Sequence, residues 1–118
     1  MDFKLFNQGA IGPLFLIFIF INTTYSAETL DKISTQKGKS IYMGNCIACH
    51  NKDPNKNGSL GPALTGTPLE VFLVKVPEGQ TYPAGYTPKR KTKIMKKFPQ
   101  FKKDVPSIFL WIQSQIKK

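Results

Sequence analysis

Histidine, cysteine and acidic residues are scarce in this 118-residue chain: one His, two Cys, and seven Asp plus Glu against seventeen Lys plus Arg. Each shortage excludes something. Structural zinc takes four nitrogen or sulfur ligands, and one His with two Cys supplies only three. No apolar run reaches the roughly 20 residues of a comfortable bilayer span; the most apolar stretch runs from Ile11 to Ile21 and contains Pro13. No internal repeat or low-complexity segment is visible, so one small domain is expected.

The scarce residues are gathered in one place. Cys46-Ile47-Ala48-Cys49-His50 uses both cysteines and the single histidine, at the C-x-x-C-H spacing of c-type haem attachment. Thiols three positions apart on one helical turn can reach the two vinyl groups of a haem, and the next residue sets its imidazole under the iron. A thioredoxin-like redox pair needs a βαβ surround, and no alternating strand-like run flanks the motif. A plain disulfide uses the thiols but leaves the adjacent histidine without a role. The motif therefore points to one covalent haem c, held by Cys46 and Cys49 and ligated by His50, in an electron-transfer protein.

The N-terminus reads as an export signal. Lys4 precedes the apolar run, polar Asn22-Thr23-Thr24 follows it, and small residues stand at Thr24, Ser26 and Ala27. This order matches a secretory signal peptide over residues 1–26, with an uncleaved membrane anchor as the alternative. No cysteine sits at the cleavage site, so a lipoprotein anchor is not indicated. Removal of residues 1–26 takes Asp2 and Lys4 together, leaving residues 27–118 with the net charge of +10 unchanged. A domain of that size has a thin core, and a buried haem would add apolar surface to it.

Along the remaining chain, Leu30, Ile33, Ile41, Tyr42 and Ile47 carry a helix over much of residues 30–50, with Gly38 inside it. Residues 51–59 are nearly all turn formers and make a surface loop. Thr67-Pro68-Leu69-Glu70 offers a helix start, with Thr67 as N-cap and Glu70 closing a capping box. Leu69, Phe72 and Leu73 are its expected buried face and Pro77 its expected end. Residues 77–88, with Tyr82 and Tyr86, read as an irregular loop. A last helix is expected from about Val105 to Ile116, with Asp104 and Pro106 at its start and Lys117 and Lys118 favouring its C-terminal dipole. Val105, Ile108, Phe109, Trp111, Ile112 and Ile116 form its apolar stripe.

These features together resemble the small class I cytochromes c. Gly38 and Tyr42 stand eight and four residues before Cys46, where that family places a glycine and an aromatic on its first helix. Ile108 and Trp111 match the partners on its last helix. Gly61-Pro62 matches the family's Gly-Pro, whose proline carbonyl accepts the Nδ1–H of the haem-bound histidine, fixing the tautomer and raising its basicity. Leu64 then corresponds to the apolar residue on the proximal haem face. The resemblance implies an all-α fold in which the N- and C-terminal helices cross and helices and loops wrap around one covalent haem. It also implies a periplasmic location, where c-type haem is attached in bacteria.

With one histidine, ligation by two imidazoles of this chain is excluded. Of the methionines beyond residue 26, Met43 lies one helical turn before Cys46 and reads as core or groove filling. Met95, just before the last helix, stands where the family's sixth ligand does; its thioether favours reduced iron. The family often follows this methionine with proline, whereas Lys96 follows here. A neighbouring lysine or an open iron is the alternative.

Lys89, Arg90, Lys91, Lys93, Lys96, Lys97, Lys102 and Lys103 bracket Met95 without an acid until Asp104. Around a haem edge such charges would steer the protein onto acidic docking surfaces of redox partners, an oxidase, reductase or dehydrogenase complex. A solvated basic face and an acidic lipid surface are the competing readings, while export and the haem motif argue against nucleic acid. Tyr82 and Tyr86 either bond the haem propionates or fill their loop. The expected function is a periplasmic monohaem carrier that shuttles single electrons and is not an enzyme. The alternatives are a haem subunit of a sulfur-compound or alcohol-oxidising complex and an open-iron haem protein.

Overall fold

The structure is a computed structural model, describing residues 31–32, 34–91 and 93–117. The chain divides into two compact units, Met1–Ile33 and Ser34–Lys118. In the first, Asp31 and Lys32 are described, both helical. The expected leader over residues 1–26, the stripe residues Leu30 and Ile33, and Lys118 lie outside the described residues. Among the described residues no helix is long and apolar enough to cross a membrane.

The second unit is all-helical, with no strand among its described residues. Helix α1 covers residues 34–45, α2 Leu69–Glu78, and α3 Val105–Ser114, preceded by a 3₁₀ segment at Pro99–Asp104. Its core is Tyr42, Phe72, Val76, Val105, Ile108, Trp111 and Ile112. α1 crosses α3 at Gly38, where a Cβ would overlap the Ser107 carbonyl and the Ile108 backbone nitrogen. Only glycine lets the two backbones come that close. One turn on, the rings of Tyr42 and Trp111 meet at 4.8 Å between centroids. Ser34 and Ser107 hydroxyls at 2.8 Å, and Lys37 with Asp104 at 2.6 Å, close the other side.

The structure corrects several local expectations. Helix α2 begins at Leu69 with Pro68 as N-cap and no side-chain cap bond, so the Thr67–Glu70 capping box does not form. Thr67 is instead buried, and the Pro68 carbonyl takes the Val71 N–H at 3.1 Å. The buried face is Val71, Phe72, Val76 and Pro77: Phe72 is buried as expected and Leu69 packs half-buried on the core, but Leu73 is 45% exposed. LEVFLVKV carries two apolar rows at helical spacing, and periodicity does not choose between them. Pro77 does not end α2: the stop is Gly79, at φ 75°, whose N–H bonds the Lys75 carbonyl at 2.8 Å. The carbonyl that a non-proline residue at 77 would have bonded belongs to Leu73, which is open to solvent. Helix α3 ends at Ser114, leaving Ile116 exposed; Asp104 stands at its start as expected, in the N-cap position, with its carboxylate paired to Lys37.

Candidate functional site

The last turn of α1 winds directly into the cysteine motif. Cys46 N–H bonds the Tyr42 carbonyl at 2.9 Å, and His50 N–H bonds the Cys46 carbonyl at 2.9 Å. This helical continuation keeps Cys46, Cys49 and His50 on neighbouring faces of one coil. The chain then loops back: Leu60 and Gly61 N–H groups both reach the Cys49 carbonyl, at 3.2 and 2.9 Å. A Cβ at Gly61 would overlap the His50 ring, so glycine lets the backbone lie flat against the imidazole. That approach sets the Pro62 carbonyl 3.0 Å from His50 Nδ1. A carbonyl only accepts, so Nδ1 carries the proton and Nε2 keeps its lone pair.

Burial holds the His50 pKa below its ordinary value, against the opposing pull of the Pro62 bond and with help from the nearby Arg90 and Lys75 charges. The imidazole is thus kept in the neutral form that binds metal. Burial, then the neighbouring Cys49, pushes the Cys46 thiol up to about 11. Reactive redox thiols instead have lowered values. Both cysteines are free.

Two clefts open around this motif. The larger, about 630 Å³ including its mouth, is lined by Tyr42, Cys46 and Leu64, with apolar side chains from α2 and α3. The smaller, about 410 Å³, is lined by Cys49, Leu60 and Ile94. His50, Pro62, Lys75, Tyr82 and Met95 border both. The two cysteines therefore face different clefts, with the histidine and Met95 at the partition. Met43 borders neither cleft; it packs on the core and lines a separate surface groove with Trp111.

Met95 lies 45 residues beyond His50, and α2 holds it in place. Phe98 N–H bonds the Val76 carbonyl at 2.8 Å. A Cβ on Gly79 would strike the Met95 carbonyl at 2.7 Å and the Lys97 nitrogen at 3.0 Å. The glycine that stops α2 is also the surface on which the Met95 segment rests. Sequence reasoning gave no role to Gly79 or Lys75 and placed Thr67 as a helix cap, whereas Thr67 and Lys75 both line the larger cleft. For Gly79 the available signal was a glycine just after an apolar helix.

The basic cluster divides into two groups. Lys89 Nζ donates to the Ala63 and Thr65 carbonyls at 2.9 and 3.2 Å, and Arg90 to the Gly58 carbonyl at 3.3 Å. These two fasten the loop before Met95 to the segment around Pro62. Lys91, Lys93, Lys96, Lys97, Lys102 and Lys103 are exposed. Tyr82 and Tyr86 both line the larger cleft, stacked at 5.6 Å, with Lys75 Nζ 3.9 Å from the Tyr82 ring centre.

Among the described residues, no group of three or more His, Cys, Asp and Glu could hold a metal ion. No family model matches the chain, and no curated protein or solved structure matches it.

Proposed function

We propose that this protein is a monohaem c-type cytochrome of the class I kind, an exported carrier of single electrons. One observation carries the reading: Cys46, Cys49, His50 and Met95 converge on two adjoining, largely apolar clefts. The residues fit the group. Two thiols lie on one helical turn, the imidazole has its proton fixed on Nδ1 by Pro62, and Gly61 leaves the ring uncrowded on that side.

In this reading Cys46 and Cys49 would carry the thioether links, and His50 and Met95 would ligate the iron. Leu64, Val71, Phe72 and Ile112 line the larger cleft and keep water from the group. When bound, the haem iron supplies a one-electron couple. Pro62 orients His50 and raises its basicity; Met95 contributes a neutral thioether that favours the reduced state. With His50 and Met95 both given to the iron, none of the chain's residues would be assigned to bond making or breaking, and the role would be transfer rather than catalysis. The exposed lysines around Met95 form the surface that meets an acidic redox partner.

The test is the protein matured in a host that attaches c-type haem. Acid–acetone should fail to extract the haem, and Cys46→Ala with Cys49→Ala should yield haem-free protein. The oxidised form should show the weak near-infrared band of thioether-ligated iron, lost in Met95→Ala. Complete extraction sinks the covalent reading. A wild type that binds carbon monoxide readily points to the open-iron alternative.

A further inference from the structure

The peptide group joining Pro62 to Ala63 is bonded at both ends. Its oxygen accepts from His50 Nδ1 at 3.0 Å, and its N–H donates to the side-chain Oδ1 of Asn57 at 2.9 Å. One planar, resonance-coupled unit therefore stands between Asn57 and the imidazole. An acceptor on the N–H draws electron density toward the carbonyl oxygen and makes that oxygen a better acceptor. Coupled hydrogen bonds of this kind strengthen one another by about 10–30% each. The Asn57 amide orientation follows from the chemistry, since only its oxygen can take the Ala63 proton.

Asn57 is itself held in register with the motif. Its backbone carbonyl accepts from the Asn51 side chain at 3.2 Å, and the Asn51 carbonyl accepts from the buried Tyr42 hydroxyl at 2.6 Å. Next to it, Gly58 N–H bonds the Gly61 carbonyl at 2.9 Å, and a Cβ at Gly58 would overlap Cys49 and His50 backbone. The turn-rich loop thus folds against the histidine it follows and returns an acceptor to the one peptide that orients it.

We propose that Asn57 is a positioning residue for His50: through the Pro62–Ala63 peptide, its Oδ1 strengthens the Nδ1–H bond and raises the basicity of Nε2. The inference rests on the haem reading above, in which Nε2 binds the iron. A more basic imidazole stabilises the oxidised metal, so Asn57 lowers the midpoint potential. Asn57 is exposed, so its replacement leaves the core untouched.

The experiment uses the haem-loaded full chain with three variants. Asn57→Asp keeps the shape and adds acceptor charge; Asn57→Leu removes the acceptor. Ser59→Asp adds a charge two residues away and serves as the electrostatic control. Asn57→Asp should move the His50 Nδ1–H resonance of the reduced protein downfield and lower the midpoint potential by more than Ser59→Asp does. Asn57→Leu should move both in the opposite direction, with the near-infrared band retained. A role confined to bracing the loop would change the melting temperature and leave the resonance in place. If the resonance is unmoved in both Asn57 variants and Asn57→Asp matches the Ser59→Asp control, the inference is overturned while the haem reading stands. A wild type without covalent haem overturns both.

Discussion

Replacing Gly38 by alanine should weaken the fold, while the same replacement at Gly44, on the same helix, should strengthen it. Alanine for glycine inside a helix gains about 0.5–1 kcal/mol from backbone entropy. At Gly44 a new Cβ meets nothing within 4 Å, so the gain is kept. At Gly38 the same Cβ overlaps the Ser107 carbonyl and the Ile108 nitrogen. These are backbone atoms and cannot rotate aside, so α1 and α3 must separate. Overpacking that shifts backbone costs about 1–3 kcal/mol, occasionally more; taken at the upper end and set against the helix gain, it leaves a net loss of about 2 kcal/mol for Gly38→Ala. The two variants should then differ by about 3 kcal/mol. Urea unfolding followed by far-ultraviolet circular dichroism at constant m value reads the difference. In a domain of this size, the loss at Gly38 corresponds to a melting point lower by roughly 8–16 °C. Separation of the helices also pulls Tyr42 from Trp111, so haem loading should fall with stability. Equal stability of the two variants would refute a backbone-to-backbone crossing at Gly38.

Three further outcomes are expected. Gly79→Ala puts a side chain at φ 75° against the Met95 carbonyl; at a cost of order 1–3 kcal/mol, it should weaken the near-infrared thioether band more than an equally destabilising change elsewhere. In haem-free protein, the folded state holds the Cys46 proton to about pH 11 against 9.0 for the ordinary thiol. The native state therefore binds more protons across that window, and stability, intact below pH 9, should fall by about 2–3 kcal/mol as pH rises through 11; Cys46→Ser should lack this part of the decline in urea titrations. Exposed charges are largely screened beyond about 8 Å at physiological ionic strength, so electron transfer with the partner should slow as salt rises from a few millimolar. Changing Lys93, Lys96 and Lys97 to Gln should lower the rate and flatten its salt dependence with the haem spectrum intact; a rate indifferent to both would make the patch a solvated face.

What could be read from the sequence depended on how local each contact is. Cys46, Cys49 and His50 lie within one turn of chain, so their spacing alone specifies their arrangement once the helix continues through them. The stripe on α3 is legible because Val105, Ile108, Trp111 and Ile112 lie on a single apolar row. On α2 two rows compete, and periodicity admits Leu73 as readily as Val71 and Val76, which the fold buries. Thr67 looked like a helix cap because hydroxyls cap helices more often than they line clefts, and here burial against the cleft prevails.

The sequence by itself determined the helical architecture, the positive charge and the grouping of two thiols with one imidazole, because these depend on residue type and short-range spacing. Only the tertiary structure decided how Met95 is held beside that group. Its position depends on Phe98 reaching the Val76 carbonyl and on Gly79 presenting a bare backbone to it. The same holds for the division of the basic cluster into loop fasteners and exposed charges, and for Asn57 meeting Ala63. Each of these is a match between backbone groups or long side chains brought together by chain packing, and hydrophobic periodicity carries no record of which carbonyl a distant donor will find.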